Sequence, residues 1–187
     1  MKRTLSIIGI LIVAALVAYF WVEIDTLLTR KNHPLEYGEI VEECAEKYAV
    51  PKELVYGVIK TESGFDEKAV SSKGASGLMQ LMPDTFVWIC KKNGELDVDE
   101  EMIFDPKTNI DCGTMYLSTL YSRFGSWETA LAAYNAGPSK VEKWLKDESV
   151  SSDGVLVNIP YEETEKYIKK VLGAKDNYKE LYFNDNK

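Results

Sequence analysis

From Leu5 to Val22 the chain runs 18 residues without a charge, directly after Lys2 and Arg3. In a bilayer such a run can satisfy its own backbone only as a helix. Its length approaches the ~20 residues needed to cross the hydrocarbon core and exceeds the ~7–15 of a signal-peptide apolar core. No small-x-small cleavage site follows cleanly, and no cysteine follows for lipid attachment. Tyr19-Phe20-Trp21 has instead the make-up of an aromatic anchor at the membrane interface. Lys2 and Arg3 favour a cytoplasmic N-terminus, a bias that Arg30 and Lys31 on the far side weaken. Residues 1–23 therefore read as an uncleaved single-pass anchor that holds the rest of the chain outside the cytoplasm. A cleaved signal peptide is the alternative.

Residues 24–35 read as a short tether closing with His33-Pro34, and residues 36–187 as one all-α domain. Ile40, Val41, Cys44, Ala45 and Tyr48 recur on one helical face, and Pro51 opens the next helix. Pro83 starts a helix through Phe86, Ile89 and Cys90. Ile110, Gly113, Leu117, Leu120, Tyr121 and Phe124 repeat at spacings of three, four and seven, with Gly125 as the stop. Ser126 opens a helix to Tyr134, and Ser139 with Glu142 has the form of a capping box for 141–146. A polar loop is expected over 149–154, a helix over 161–172 and a separate C-terminal helix carrying Tyr178, Leu181 and Tyr182. No strand-like alternation persists.

Charge narrows the function. Lys2, Arg3 and Glu23 give residues 1–23 a charge of +1, leaving −9 on the rest of a chain whose formal net charge is −8. An acidic body with no basic stripe argues against a nucleic-acid partner. Cys44, Cys90 and Cys112 have no metal-ligand spacing, and the single His33 lies in the expected tether. A metal site and a histidine-based triad are both excluded on that ground, and no cofactor is implied. The cysteines can close one disulfide in three ways; the reading adopted is three small buried apolar residues.

Glu62 stands out against this background. Leu54, Val55, Val58 and Ile59 recur at helical spacing and place Glu62 one turn on, on the apolar face, where Ser63-Gly64 breaks the helix. Desolvation disfavours a carboxylate, so an acid so placed can keep its proton near neutral pH and serve as a general acid.

Three separated segments belong with it. The first is Glu62-Ser63-Gly64-Phe65, followed by Ala69-Val70-Ser71 and the run from Gly74 to Pro83. The second is Ala130-Leu131-Ala132-Ala133-Tyr134-Asn135-Ala136-Gly137-Pro138, and the third runs from Ile159-Pro160 through Tyr167 to Val171. Together they resemble the catalytic domain of soluble-type lytic transglycosylases, the SLT domain of the lysozyme-like superfamily (glycoside hydrolase family 23). The resemblance covers nearly all of 36–172, including Asp105-Pro106, Asn109-Ile110 and Gly113 in the intervening helix. It implies a lysozyme-like α fold acting on the glycan strands of bacterial peptidoglycan, with the anchor Leu5–Val22 in the cytoplasmic membrane; it names no protein partner.

Carried over by position, Glu62 matches the family's catalytic acid/base. Ser71 and Gln80 match polar residues that orient the sugar, and Met82 matches a cleft-wall residue. Tyr134 and Asn135 match the Tyr-Asn pair facing the acid, and Tyr167 matches the aromatic that closes the site. Chemistry agrees: Gln80 offers donors and an acceptor to sugar polar groups, and tyrosines offer flat apolar area with a polar tip. Ordinary glycoside hydrolases use two carboxylates. Here the resemblance implies one, since Asp66 and Asp84 match no catalytic position. Glu62 would protonate the bond between N-acetylmuramic acid and N-acetylglucosamine. It would then take the proton of the muramyl C6 hydroxyl as a 1,6-anhydro ring closes, a non-hydrolytic lyase reaction. The alternatives are a lysozyme-like muramidase that admits water and a non-catalytic wall-binding module.

Overall fold

The computed structural model describes residues 2–94, 97–152 and 154–184, with side chains from Leu11 onward. Helix α1 spans Lys2–Asn32, about 46 Å at 1.5 Å per residue. It therefore runs on through most of the segment expected as a tether. Ile24, Leu27 and Leu28 keep the sequence helical, and nothing stops it before Pro34, which disfavours the α conformation in the residue ahead of it. Large apolar side chains from Leu11 to Leu28 are exposed, uncovered by the rest of the chain. The segment is long and apolar enough to cross a membrane. Its far end is fastened to the domain: Tyr178 Oη donates to Pro34 O at 3.0 Å and Tyr182 Oη to His33 O at 2.9 Å.

Helix α2 (Gly38–Tyr48) leads into α3 (Lys52–Glu62), which is buried on every face from Leu54 to Ile59. Pro51 caps α3 rather than occupying its first turn. Helix α4 (Pro83–Lys92) starts on its proline as expected, a 3₁₀ turn covers Glu100–Phe104, and α5 (Pro106–Phe124) begins at an Asp105 cap. Gly125, at φ +72°, ends α5. Helix α6 (Trp127–Ala136) starts from Ser126, whose hydroxyl accepts from Thr129 N at 3.3 Å.

Three local expectations are corrected. Helix α7 spans Pro138–Trp144 with Gly137 at its cap, so Ser139 lies inside the helix and the capping box does not form. Pro138 is preset for the first helical position and starts the helix early; Glu142 pairs with Arg123 instead. The expected polar loop over 149–154 contains a short strand, β1 (Ser151–Ser152), paired with β2 (Val155–Leu156) just beyond it. Finally, α8 (Glu162–Tyr182) is one continuous helix rather than two. Val171, Ala174 and Tyr178 carry the buried face past Gly173, and that packing outweighs the ~1 kcal/mol that a mid-helix glycine costs.

Helices α3 and α8 form the centre of the domain. Gly57 permits their approach, since a Cβ there would lie 2.8 Å from Val171 O and 3.1 Å from Lys175 N. The main core gathers Val41, Leu54, Val58, Ile59, Ile110, Leu117, Leu131 and Val171. A second cluster, Phe86, Ile89, Cys90, Ile103 and Cys112, lies under α4. The segment from Gly77 to Met82 joins the two, with Leu78 and Met79 in the first core and Leu81 in the second. All three cysteines are buried, and Cys90 Sγ approaches Cys112 Sγ to 3.0 Å.

Candidate active site

Glu62 is the last residue of α3, where the chain reverses sharply. Ser63 Oγ donates back to Ile59 O at 3.2 Å and accepts from Phe65 N at 3.1 Å, while Gly64 (φ +61°) and Phe65 (φ +73°) both turn left-handed. Phe65 tolerates that conformation because its ring is buried at 7% exposure. The turn leaves the Glu62 carboxyl half-buried at the helix end. Burial pushes its pKa from 4.5 to about 7, against the opposing pull of the Tyr167 hydroxyl. Among the described residues Glu62 forms no ion pair. Its electrostatic neighbours are Tyr134 and Tyr167, whose own ionisation is pushed well up by burial and by this carboxyl.

Tyr167 is buried on α8, and its Oη has no short hydrogen bond. Such an orphaned donor is costly in a dry site unless it serves a group that changes charge. The group it acts on is Glu62. Because the hydroxyl favours the ionised carboxylate, Tyr167→Phe is expected to move the Glu62 midpoint upward in a ¹³C carboxyl titration. An unchanged midpoint would remove Tyr167 from the acid's environment.

The loop opposite is folded by its own backbone. Ser76 N donates to Leu81 O at 2.9 Å and Leu81 N to Ser76 O at 3.1 Å, and Ser71 Oγ accepts from Ala75 N at 2.9 Å. Gln80 adopts φ +46°, and its amide nitrogen donates to Ala69 O and Gly77 O, both at 3.0 Å. Both partners are carbonyl acceptors, which orients the amide and consumes its donors. The amide donors are thus engaged within the loop, and Oε1 is the atom of Gln80 left to face a ligand. Ser71 still has its hydroxyl proton to give. Met82 is 45% exposed at the end of the loop, as a cleft wall requires.

Two further residues, to which the sequence reading gave no role, hold this arrangement. Asn109, fully buried on α5, accepts from Met79 N at 2.8 Å and donates to Ile103 O at 2.7 Å and Ser76 O at 3.2 Å. Thr164, buried on α8, donates from Oγ1 to Asn135 Oδ1 at 2.8 Å. That bond turns the Asn135 amide nitrogen outward as a free donor on an exposed side chain. Tyr134 Oη donates to Met79 O at 2.7 Å, so its hydroxyl clamps the loop to α6. Glu62, Tyr134 and Tyr167 are thus brought together. Ser71, Gln80 and Met82 lie in or next to the loop that Met79 ties to Tyr134, and Asn135 follows Tyr134 on α6. Asp66 and Asp84 are exposed, Asp66 accepting from Lys68 N at 2.9 Å in a local turn.

A central helix ending in a half-buried acid, with a glycine-folded loop and two tyrosines beside it, defines a lysozyme-like helical domain. The family model described as the transglycosylase SLT domain matches residues 39–155, and the chain belongs to that family. It is 35% identical over 159 residues to the soluble lytic murein transglycosylase of Escherichia coli K12, covering 83% of this chain and 24% of that one. It is 30% identical over 177 residues to the membrane-bound lytic murein transglycosylase C of Yersinia enterocolitica, covering 81% and 48%. The structure matches the 70 kDa soluble lytic transglycosylase of Escherichia coli with a TM-score of 0.75 at 32% identity, over 84% of this chain and 26% of that one. It matches an inactive mutant of the lytic transglycosylase Slt from Pseudomonas aeruginosa with a TM-score of 0.71 at 33% identity, over 80% and 25%. The chain therefore spans about a quarter of the length of the first curated relatives it matches.

Proposed function

We propose that this protein is a membrane-anchored peptidoglycan lytic transglycosylase in which Glu62 acts first as acid and then as base. The observation that carries the reading is the state of Glu62: half-buried, raised to about 7, and with no ionic partner among the described residues. At neutral pH such a group is divided between its two forms, the condition under which one residue can give and then take a proton. In the first step Glu62 protonates the oxygen linking N-acetylmuramic acid to N-acetylglucosamine. The muramyl C1–O bond breaks and the N-acetylglucosamine end leaves as its 4-hydroxyl, while the N-acetyl group of the substrate stabilises the positive charge at C1. In the second, the carboxylate takes the C6 hydroxyl proton while that oxygen closes on C1. Holding the hydroxyl beside C1 supplies the proximity that a second carboxylate would otherwise help provide. Asn135, with its amide nitrogen outward, and Ser71 are the polar groups available to orient the sugar, with Met82 as wall.

Anchoring of the chain in the cytoplasmic membrane is supported by the length and exposed apolar surface of α1, and a domain outside the cytoplasm by Lys2 and Arg3 ahead of the apolar run. Relatives named membrane-bound agree with the anchoring. The description of a glutamate-to-glutamine mutant of a structural neighbour as inactive supports a glutamate as the catalytic group. Digesting purified peptidoglycan with the full-length protein and weighing the released fragments is expected to show anhydro-muramyl ends, lighter than reducing ends by one water. Reducing ends would replace this reading with a muramidase. No release at all, with binding retained, would leave a wall-binding module.

A further inference from the structure

Cys90 on α4 and Cys112 on α5 meet inside the second core cluster, among Leu81, Phe86, Ile89 and Ile103. Their sulfur atoms stand 3.0 Å apart, closer than two unbonded sulfurs pack, and both side chains are buried. A disulfide bond measures ~2.05 Å, so ~1 Å of side-chain movement separates this contact from a covalent one. The acid/base chemistry uses neither residue.

Cys44 is placed differently. Its Sγ faces the Asp111 carboxylate at 3.7 Å in the first core, and burial together with that charge pushes its thiol up to about 12. The thiolate is the form that enters disulfide exchange, so Cys44 stays out of it at neutral pH. Asp111 and Cys112 are consecutive on α5: the first turns to Lys47 and Tyr48 of α2, the second to α4. The three cysteines therefore divide into one pair and one single.

We propose that Cys90 and Cys112 close a structural disulfide that ties α4 to α5 as the domain folds beyond the membrane. The inference rests on the proposed placement of the domain outside the cytoplasm, where disulfides persist. For these two residues it replaces the reading as small apolar filler. The oxidant is a disulfide donor of that compartment. One cysteine, as thiolate, attacks the donor disulfide, which forms a mixed disulfide and releases one donor thiolate. The other attacks the protein sulfur of the mixed bond, so the Cys90–Cys112 bond forms and the second donor thiolate leaves. Two electrons pass to the donor, and the two protons lost by the cysteines end on its two sulfurs. Burial sets the timing: the donor acts before the cluster closes, and reductants are shut out afterwards. Helix α4 begins directly after the wall residue Met82, and Tyr116 and Tyr134 pack against the same cluster. The bond therefore fixes the helix behind the cleft wall to the body that carries Tyr134.

The test takes full-length protein from membranes under acid quench, unfolds it, and alkylates it with N-ethylmaleimide before and after reduction. Before reduction, Cys44 alone is expected to be labelled, as read by peptide mass; after reduction, all three cysteines are. Three labelled cysteines before reduction, or a link that includes Cys44, overturn the proposal. Refolding such a fully reduced protein with oxidised glutathione then tells which premise fell. Closure of the Cys90–Cys112 pair faults the placement outside the cytoplasm, and failure to close faults the geometry. Thermal melts add a readout that apolar filler does not give. Cys90→Ala is expected to lower Tm by about 5–12 °C, the effect of opening a loop between residues 22 apart. Adding Cys112→Ala is expected to lower it little further. Losses that simply add overturn the cross-link, because two independently packed side chains would behave that way.

Discussion

Glu62→Gln is expected to all but abolish muropeptide release, with a loss on the order of 10²–10⁴-fold, the range spanned by general acid–base catalysis. Glutamine keeps the shape of the protonated acid but can neither give nor take a proton. The same change is expected to stabilise the fold above neutral pH. The unfolded glutamate titrates near 4.5 and the folded one near 7. Between those values the folded state keeps a proton that the unfolded state has lost, so stability falls as pH rises through the window and is level above it. A shift of this size corresponds to an upper bound of roughly 3 kcal/mol. Because the carboxyl is partly open to the cleft, a gain nearer ~2 kcal/mol is expected for the variant at pH 8. The gain should vanish below about pH 4.5, where both states hold the proton. Urea unfolding of parent and variant across the window measures it. Equal stability at both ends would show that Glu62 is not desolvated, and retained activity would end its catalytic role. In the parent, activity should decline above about pH 7 as the acid form is lost.

Much of this was legible in the sequence because helical periodicity and special residues act locally. The apolar spacing through Ile59 placed Glu62 on the buried side, and Pro83, Ser126 and Gly125 marked helix ends where they were expected. Where tertiary packing overrode local signals, the reading failed. The segment beyond 172 was expected as a separate helix, but the buried stripe of α8 continues across Gly173. Ser139 looked like a cap, but Pro138 one residue earlier had already started the helix. The site divides in the same way. Glu62, Tyr134 and Tyr167 lie in recognisable blocks and meet in space. That Gln80 spends its amide donors within the loop was not legible, because its partners, Ala69 O and Gly77 O, are backbone atoms that carry no sequence signal. Asn109 is a buried asparagine on an apolar helical face, a polar residue placed where only a specific set of partners makes it tolerable. That placement was the available signal, and two of its three partners, Met79 N and Ser76 O, lie 30 and 33 residues away.

Those buried bonds give the second large effect. Gly77→Ala is expected to destabilise the domain by roughly 3–5 kcal/mol and to disable the site. Gly77 sits at φ +79°, where an L-residue costs about 1–2 kcal/mol. Its missing Cβ would also fall inside contact distance of Asn109 Nδ2 and Ile103 O, and 2.8 Å from Asn109 Cγ. Asn109 cannot retreat without giving up Met79 N, Ser76 O and Ile103 O together. Once Met79 moves, Tyr134 loses the carbonyl that fixes its hydroxyl, and the wall beside Glu62 loosens. Gly74→Ala is the control: it has a comparable φ of +86° but nothing within 4 Å of the added Cβ. It should therefore lose only the conformational term of about 1–2 kcal/mol and retain activity. Denaturant midpoints and glycan release for the two variants separate backbone strain from the clash with Asn109. Equal losses would mean that the left-handed turn alone, and not the asparagine behind it, holds the catalytic loop.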